Sequence, residues 1–112
     1  MSQSFNRELG LRPGPEDATV LLDTRPEHQV MPGVIHFAVL ATLAEVSAAQ
    51  AAEASVVPSS VQLSLLTKAE PGQLLGRGRC LRRGRRLAVC EGEVFQGDRL
   101  VAKATVQFAV LG

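Results

Sequence analysis

Tryptophan and tyrosine are absent from the 112-residue chain, and four phenylalanines are its only aromatic residues. The side chains that most often stack on nucleic-acid bases or sugar rings are therefore scarce. Neither sign of charge dominates, because 12 lysines and arginines stand against 11 acidic residues and the formal net charge is +1. Both observations argue against a protein that binds nucleic acids or membrane surfaces.

Long apolar runs are also missing. The start, MSQSFNREL, carries no apolar signal segment, and the longest stretch without Asp, Glu, Lys or Arg, residues 28–44, contains Pro32 and Gly33. Neither stretch suits a leader or a membrane span. Because only two cysteines are present and nothing indicates secretion, we predict reduced, buried thiols at Cys80 and Cys90 in a cytoplasmic protein.

The common sequence motifs of enzymes and metal sites are lacking. There is no GxSxG nucleophile elbow, P-loop, GxGxxG after a strand, CxxC or HExxH. Two histidines eight residues apart and two cysteines ten apart, in different predicted elements, make a poor set of metal ligands. We therefore expect no metal site.

The composition that is present, 46% apolar and 21% charged, predicts one globular domain over residues 1–112. An N-terminal segment, 1–16, is expected to contain a helical turn at 4–11. Residues 18–25 are typical of a strand, and a loop rich in proline and glycine follows it. Residues 37–54 contain eight alanines and neither glycine nor proline, so they predict a helix that is apolar on nearly all sides.

After the helix, apolar and polar residues alternate with a period of two, which predicts four strands within residues 57–111. Pro71-Gly72, Gly84 and Gly97-Asp98 mark short turns between them, and short turns give antiparallel neighbours. The expected fold is α+β, with a curled antiparallel sheet wrapped around one central helix. One sheet leaves part of such a helix uncovered, so we expect a homo-oligomer.

Glu45 is the first candidate for chemistry, because it is the only Asp, Glu, Lys or Arg between His28 and Glu53. It could belong to a narrow solvent-facing stripe with Thr42 and Ala49. It could equally be a carboxylate in an apolar interface, with a raised pKa and a role as base or nucleophile.

The start of the helix is the second candidate. No Ser, Thr, Asp or Asn stands at positions 34–37, so the N–H groups of residues 37–39 are expected to lack side-chain acceptors. Such groups suit an anion or a developing oxyanion, although water or a carbonyl could also satisfy them. His36 could be a structural hydrogen-bonding residue or a catalytic one.

Six of the ten arginines fall between residues 77 and 86. Arg77 and Arg79 are expected to form cross-strand ion pairs with Glu91 and Glu93. The other four could form a solvated turn or bind phosphate, since guanidinium groups match phosphate oxygens. They are Arg82, Arg83, Arg85 and Arg86.

Nearly the whole chain resembles the hotdog-fold acyl-CoA thioesterases, in particular the small single-domain branch related to phenylacetate-pathway thioesterases. The resemblance runs through RPEHQVMPGVIH, ATLAEVSAAQAA and GRGRCLRRGRRLAVCEGEVFQGDRLVAKATVQFAVL. It implies a single hotdog domain that hydrolyses an acyl-CoA thioester, with coenzyme A as part of the substrate and no other cofactor. It also implies a homodimer or homotetramer whose sites lie between subunits.

By resemblance, Gly33 and His36 match the family's loop glycine and histidine, with His36 orienting the substrate. Glu45, nine residues later, stands where the family has a carboxylate that attacks the thioester or activates water. The Phe37 N–H would polarise the thioester oxygen. The four arginines at 82–86 match a region that often meets CoA phosphates.

One departure from the family supports a second hypothesis. The glycine pair that follows the histidine in the family is Phe37-Ala38 in this chain, which brings a bulky side chain to the oxyanion site. The alternative is therefore a weak or inactive relative that binds acyl-CoA or another small ligand. A hotdog hydratase is less favoured, because its carboxylate lies close in sequence to its histidine.

Overall fold

The computed structural model describes residues 4–111, which form one long helix packed on a six-stranded antiparallel sheet. The elements are α1 (Ser4–Leu9), β1 (Arg12–Pro13), β2 (Thr19–Asp23), a 3₁₀ turn (Pro26–His28), β3 (Gln29–Met31), β4 (Val34–Ile35), α2 (Phe37–Ala51), β5 (Val56–Leu65), β6 (Gln73–Arg83), β7 (Leu87–Gln96) and β8 (Arg99–Val110). The strand order is β1-β2-β6-β7-β8-β5, and β3 pairs with β4 alone. The predicted α+β class is confirmed.

Helix α2 lies against the middle of the sheet because glycines there remove the side chains that would hold it away. A Cβ built on Gly78 would overlap the carbonyl of Ser47, and one built on Gly92 would overlap the carbonyl of Ala44. The helix backbone therefore rests on the strand backbone, and apolar side chains close the core around that contact. The largest fully buried apolar side chains are Phe108, Leu22, Leu43, Leu74, Val20, Val94, Val101 and Val106.

Two predicted elements are shorter in the structure than in the sequence analysis. The helix expected over 37–54 ends at Ala51, because Glu53 adopts a φ of +53°, which an α-helix does not accommodate. The strand expected from residue 18 begins at Thr19, because Ala18 has a φ of +56°. In both places the backbone turns at a residue where the sequence pattern alone predicts that the helix or strand continues.

The loop predicted between the first strand and the helix contains short structure that periodicity could not reveal. The 3₁₀ turn, β3 and β4 have two or three residues each, which is too few to show a repeat. They fold the segment back so that the N–H of His36 donates to the carbonyl of His28 over 2.9 Å. This hydrogen bond fixes the residue that precedes α2.

The hairpin of β6 and β7 contains a register shift between Cys80 and Arg82. Cys80 lies directly opposite Cys90, and both thiols are unbridged. Cys90 is buried as predicted, whereas Cys80 is only partly buried. The shift also turns Arg83 toward the end of α2.

Across residues 4–111, no helix combines the length and hydropathy that crossing a bilayer would require.

Candidate active site

The N-terminus of α2 is capped by His36, which the sequence analysis did not foresee. Its Nδ1 accepts a hydrogen bond from the Ala38 N–H at 2.9 Å, and its carbonyl accepts from the Val39 N–H at 3.0 Å. The expectation that these N–H groups lack side-chain acceptors is therefore wrong for Ala38, because histidine can cap a helix through a ring nitrogen. It is correct for Val39, whose acceptor is a backbone carbonyl. For the Phe37 N–H, residues 4–111 supply no acceptor.

The same cap determines the tautomer of His36. Because Nδ1 accepts a hydrogen bond, the neutral ring carries its proton on Nε2. The ring stacks on Phe37 with a centroid separation of 4.9 Å and an interplanar angle of 27°. The structure thus brings together the Phe37 amide and a second donor, the Nε2–H of His36, at the first turn of the helix.

An open cavity of about 380 Å³ lies beside this first turn. Its walls are mostly apolar and come from the β3–β4 hairpin, the start of α2, the end of β5 and the loop after β5. The lining residues are Val30, Val34, Ile35, His36, Phe37, Leu40, Leu65, Thr67, Lys68 and Ala69. Leu65, Thr67 and Lys68 were not predicted to lie here, because they follow Phe37 by about 30 residues and only the fold brings them to the start of the helix.

The loop that carries His36 is held by side-chain hydrogen bonds to backbone. Gly33 has a φ of +83° and donates its N–H to Oε1 of Gln29 at 2.7 Å. The buried ring of His28 accepts from the Arg25 N–H through Nδ1 at 3.0 Å. Burial, and secondarily the charge of Arg25, lowers the pKa of His28 below its usual value, so a neutral ring is favoured.

Glu45 is half-buried and lies away from the cavity. Residues 4–111 offer its carboxylate neither a hydrogen bond nor an ion pair, and burial raises its pKa above the usual 4.5. Eight residues separate it from Phe37, which is about 12 Å along the helix axis. A single chain therefore brings His36 and Phe37 together but leaves Glu45 apart from them.

The arginines at 82–86 lie at the opposite end of α2. Arg83 donates from Nε to the carbonyl of Ala52 at 2.6 Å, and its guanidinium also lies 3.3 Å from the carboxylate of Glu53. It therefore caps the C-terminus of the helix, an assignment that sequence spacing did not suggest. The other three are exposed, and no partner for them lies within the described chain; they are Arg82, Arg85 and Arg86.

The two arginines that were expected to pair across the hairpin behave differently. Arg79 and Glu91 form the predicted ion pair at 2.6 Å. Arg77 lies opposite Glu93, but its guanidinium instead pairs with Glu16 at 3.1 Å and stacks over the ring of Phe95.

Within the described part of the chain, no three potential ligand side chains are grouped as a metal site would need.

Comparison with known proteins agrees with this architecture. The sequence profile of the acyl-CoA thioesterase N-terminal domain family matches residues 25–109. No curated protein matches the chain. Among solved structures, the Mycobacterium tuberculosis protein Rv1847/MT1895 is 30% identical over 96% of this chain and 95% of that one, with a TM-score of 0.85.

Two further solved structures share the fold at lower identity. A mutant of the phenylacetic acid degradation protein PaaI from Thermus thermophilus is 24% identical, over 97% of this chain and 100% of that one, with a TM-score of 0.87. The BH2602 protein from Bacillus halodurans, solved with CoA, is 19% identical over 99% of this chain and 78% of that one, also with a TM-score of 0.87.

Proposed function

Because the chain belongs to the acyl-CoA thioesterase N-terminal domain family, we propose that it hydrolyses the thioester of an acyl-CoA. The observation that carries the proposal is the Phe37 N–H. It has no acceptor within residues 4–111, it stands at the start of a helix, and it borders an apolar cavity. A thioester oxygen placed there would gain negative charge beside a hydrogen-bond donor and the positive end of the helix dipole.

In the proposed reaction, Glu45 acts as base or nucleophile. As a base, it takes a proton from water while the water oxygen attacks the thioester carbon and the Phe37 N–H donates to the oxyanion. The C–S bond then breaks, and the proton passes to the departing CoA thiolate. Because burial raises the pKa of Glu45, its carboxylate is a stronger base than a solvated one. The Nε2–H of His36 orients the thioester.

A second copy of the chain would complete this site. Strand β5 lies at the edge of the sheet, is ten residues long and contains no charged residue. Val61 pairs in register with Val106, and Leu65 pairs with Ala102. Because Val106 and Ala102 are buried, Val61 and Leu65 face the side of the sheet on which α2 packs. Even so, Val61 is 48% exposed and Leu65 is 53% exposed. Pro58 and the register shift beside it protect the first part of this edge, whereas residues 61–65 form an uncharged edge without such protection. Edges of this kind are usually covered by another strand. We infer that β5 pairs with β5 of a second copy.

The direction of β5 decides what that pairing brings together. Val56 follows the end of α2, whereas Leu65 lines the cavity at the start of α2, so β5 and α2 run in opposite directions. A two-fold axis pairs the two β5 strands antiparallel. The arginine end of one copy would then lie beside the His36 end of the other. This arrangement supports CoA phosphate binding by Arg82, Arg85 and Arg86, and it lets Glu45 of one copy serve the cavity of the other.

Binding without catalysis is the second candidate function, and Phe37 is the observation that favours it. Its side chain lines the cavity where the family has glycine, so it occupies space next to the amide that the thioester must reach. On this alternative, the chain would retain affinity for acyl-CoA but would not turn it over.

A cytoplasmic location suits either function, since both cysteines are unbridged.

The test is thiol release from a panel of acyl-CoA esters, short to long and aliphatic to aromatic. Wild type is compared with Glu45→Gln and with Glu93→Gln, which alters another half-buried carboxylate on the outer face of the sheet. We expect Glu45→Gln to lower kcat at least about 100-fold, the usual contribution of a general base, and Glu93→Gln to match wild type. Full activity in Glu45→Gln would contradict the mechanism. Calorimetric binding without turnover in wild type would favour the binding module instead.

A further inference from the structure

Lys68 is a cation in the wall of the apolar cavity whose role the proposed chemistry does not explain. Among the ten residues that line this cavity, Lys68 and His36 are the only ones that can carry a positive charge, and none is acidic. His36 is committed to capping the helix through Nδ1. The lining of this cavity therefore includes one lysine and no carboxylate that could neutralise it.

The backbone around Lys68 is fastened on both sides. The N–H of Thr67 donates to the carbonyl of Val101 at 3.3 Å, and the carbonyl of Ala69 accepts from the N–H of Ile35 at 2.9 Å. One residue further, Gln96 forms two side-chain hydrogen bonds with the backbone of Glu70, at 2.9 and 2.6 Å. Lys68 therefore extends from a fixed segment, so its position relative to the cavity is set by the fold.

Lys68 also differs from the chain's other lysine because it has no counter-ion among the described residues. Lys103 lies 3.3 Å from the carboxylate of Glu91. Glu70, the nearest acidic residue in sequence to Lys68, pairs with Arg99 at 3.8 Å instead. Within residues 4–111 no ion pair or hydrogen bond engages the ammonium of Lys68. Lys68 is exposed to solvent in the single chain. Its ammonium is therefore available to an anion that a ligand in this cavity would supply.

We propose that Lys68 is a specificity-determining residue that pairs with a carboxylate carried by the acyl group, so that the preferred substrates are thioesters of dicarboxylic acids. This inference rests on the proposed thioesterase function. The methylene chain of such an acyl group would contact the apolar wall of Val30, Val34 and Leu40. Its terminal carboxylate would meet the ammonium of Lys68.

The phosphates of CoA are the other anions that Lys68 could meet, but two observations favour the acyl group. Three exposed arginines without partners in the described chain are already available for phosphate. Lys68 lies in the wall of the same cavity as Phe37, whose N–H would hold the thioester, and that wall is apolar as an acyl chain requires. A multiply charged phosphate would lose more hydration in such surroundings than the single carboxylate at the end of an acyl chain.

The experiment crosses two acyl groups with two carriers. Hexanoyl and adipoyl thioesters, which differ only in the terminal carboxylate, are each prepared on CoA and on N-acetylcysteamine, which has no phosphate. Lys68→Met removes the charge but keeps the length of the side chain, Lys68→Arg restores the charge, and Lys103→Met is the matched control on the other lysine. The readouts are kcat/KM for hydrolysis and calorimetric Kd for the corresponding non-hydrolysable thioethers.

We expect Lys68→Met to lower kcat/KM about tenfold for both adipoyl thioesters, the usual worth of a hydrogen bond to a charged group, and to leave both hexanoyl thioesters unchanged. Lys68→Arg should recover most of the loss, and Lys103→Met should match wild type. An equal loss of kcat/KM for both CoA esters, with no loss for the N-acetylcysteamine esters, would indicate that Lys68 pairs with the CoA phosphates. That result would overturn the acyl assignment. No change with any substrate would overturn a role for Lys68 altogether.

The binding measurements keep this inference separate from the proposed hydrolysis. If wild type hydrolyses none of the esters but Lys68→Met weakens the adipoyl thioethers selectively, the proposed catalytic function fails and the assignment of Lys68 stands. If hydrolysis occurs and depends on Glu45 while Lys68→Met has no selective effect, the proposed catalytic function stands and the assignment of Lys68 fails.

Discussion

At the scale of single residues, Glu45 stands out because its surroundings oppose its charge. A half-buried carboxylate without a hydrogen bond or ion pair in the described chain loses hydration and gains nothing in return. Its pKa in the folded protein is raised above 4.5, so the folded state retains a proton that the unfolded chain releases. Above pH 4.5, ionisation of Glu45 therefore destabilises the fold progressively until pH passes its folded pKa.

This property predicts that Glu45→Gln stabilises the protein while abolishing its activity. At pH 7 we expect a higher melting temperature than wild type, because the amide removes the cost of burying a charge. The difference should shrink as pH falls toward 4.5, where wild-type Glu45 becomes protonated. Thermal denaturation followed by circular dichroism at several pH values checks this, with Glu93→Gln as the control. A lower melting temperature for Glu45→Gln at pH 7 would mean that the carboxylate has a structural partner.

The residue patterns identified which residues are candidates, but they did not predict which groups those residues contact. Glu45 was identified because it is a single charge in an apolar helix, and the structure shows the half-burial and raised pKa that one of the two hypotheses required. The capping roles of His36 and Arg83 were not predicted. Both depend on distances between chain segments, or on a ring orientation, that residue type alone does not specify.

At the scale of elements, the contact between α2 and the sheet depends on small residues on both sides. Gly92 of β7 faces the carbonyl of Ala44, and Gly76 of β6 faces Ser47, whose hydroxyl donates to the carbonyl of Leu43 at 2.7 Å. Larger side chains would force the helix outward and open the core.

We predict that Gly92→Ala destabilises the protein by about 3 kcal/mol, in the range of overpacked cores, because a Cβ there would overlap the helix backbone rather than a movable side chain. Gly84→Ala, in the turn between β6 and β7, is the control. Its Cβ would lie 3.1 Å from the carbonyl of Leu87, which a small adjustment of the turn relieves. Urea denaturation of both variants measures the two costs, and similar values would refute this account of the packing.

At the level of the whole chain, the residues of the proposed site lie far apart. His36 and Phe37 stand at one end of α2, and the exposed arginines stand at the other, separated by a helix of 15 residues, or about 22 Å. No rearrangement within a compact chain brings these ends together. The uncharged edge strand β5 offers the two-fold pairing that would.

Assembly and activity should therefore be lost together when the β5 edge is made cationic. We expect wild type to be a dimer or larger by light scattering, and Val57→Lys with Val61→Lys, two exposed β5 residues outside the cavity, to be a folded monomer without thioesterase activity. Leu81→Lys is the control, because Leu81 is 50% exposed but lies on β6, away from this edge. A fully active monomer would show that one chain carries a complete site.

Local residue patterns were sufficient to predict the α+β class, the long helix and the four long strands, because each depends on composition and on periods of 3.6 or 2 that neighbouring residues display. They also identified Glu45, His36 and Phe37 as candidates. The folded chain was needed to show that Lys68 and Leu65 border the cavity, that Arg83 caps the helix, and that Glu45 lies apart from Phe37. These are distances between segments far apart in the chain, and they depend on packing and strand register rather than on local pattern.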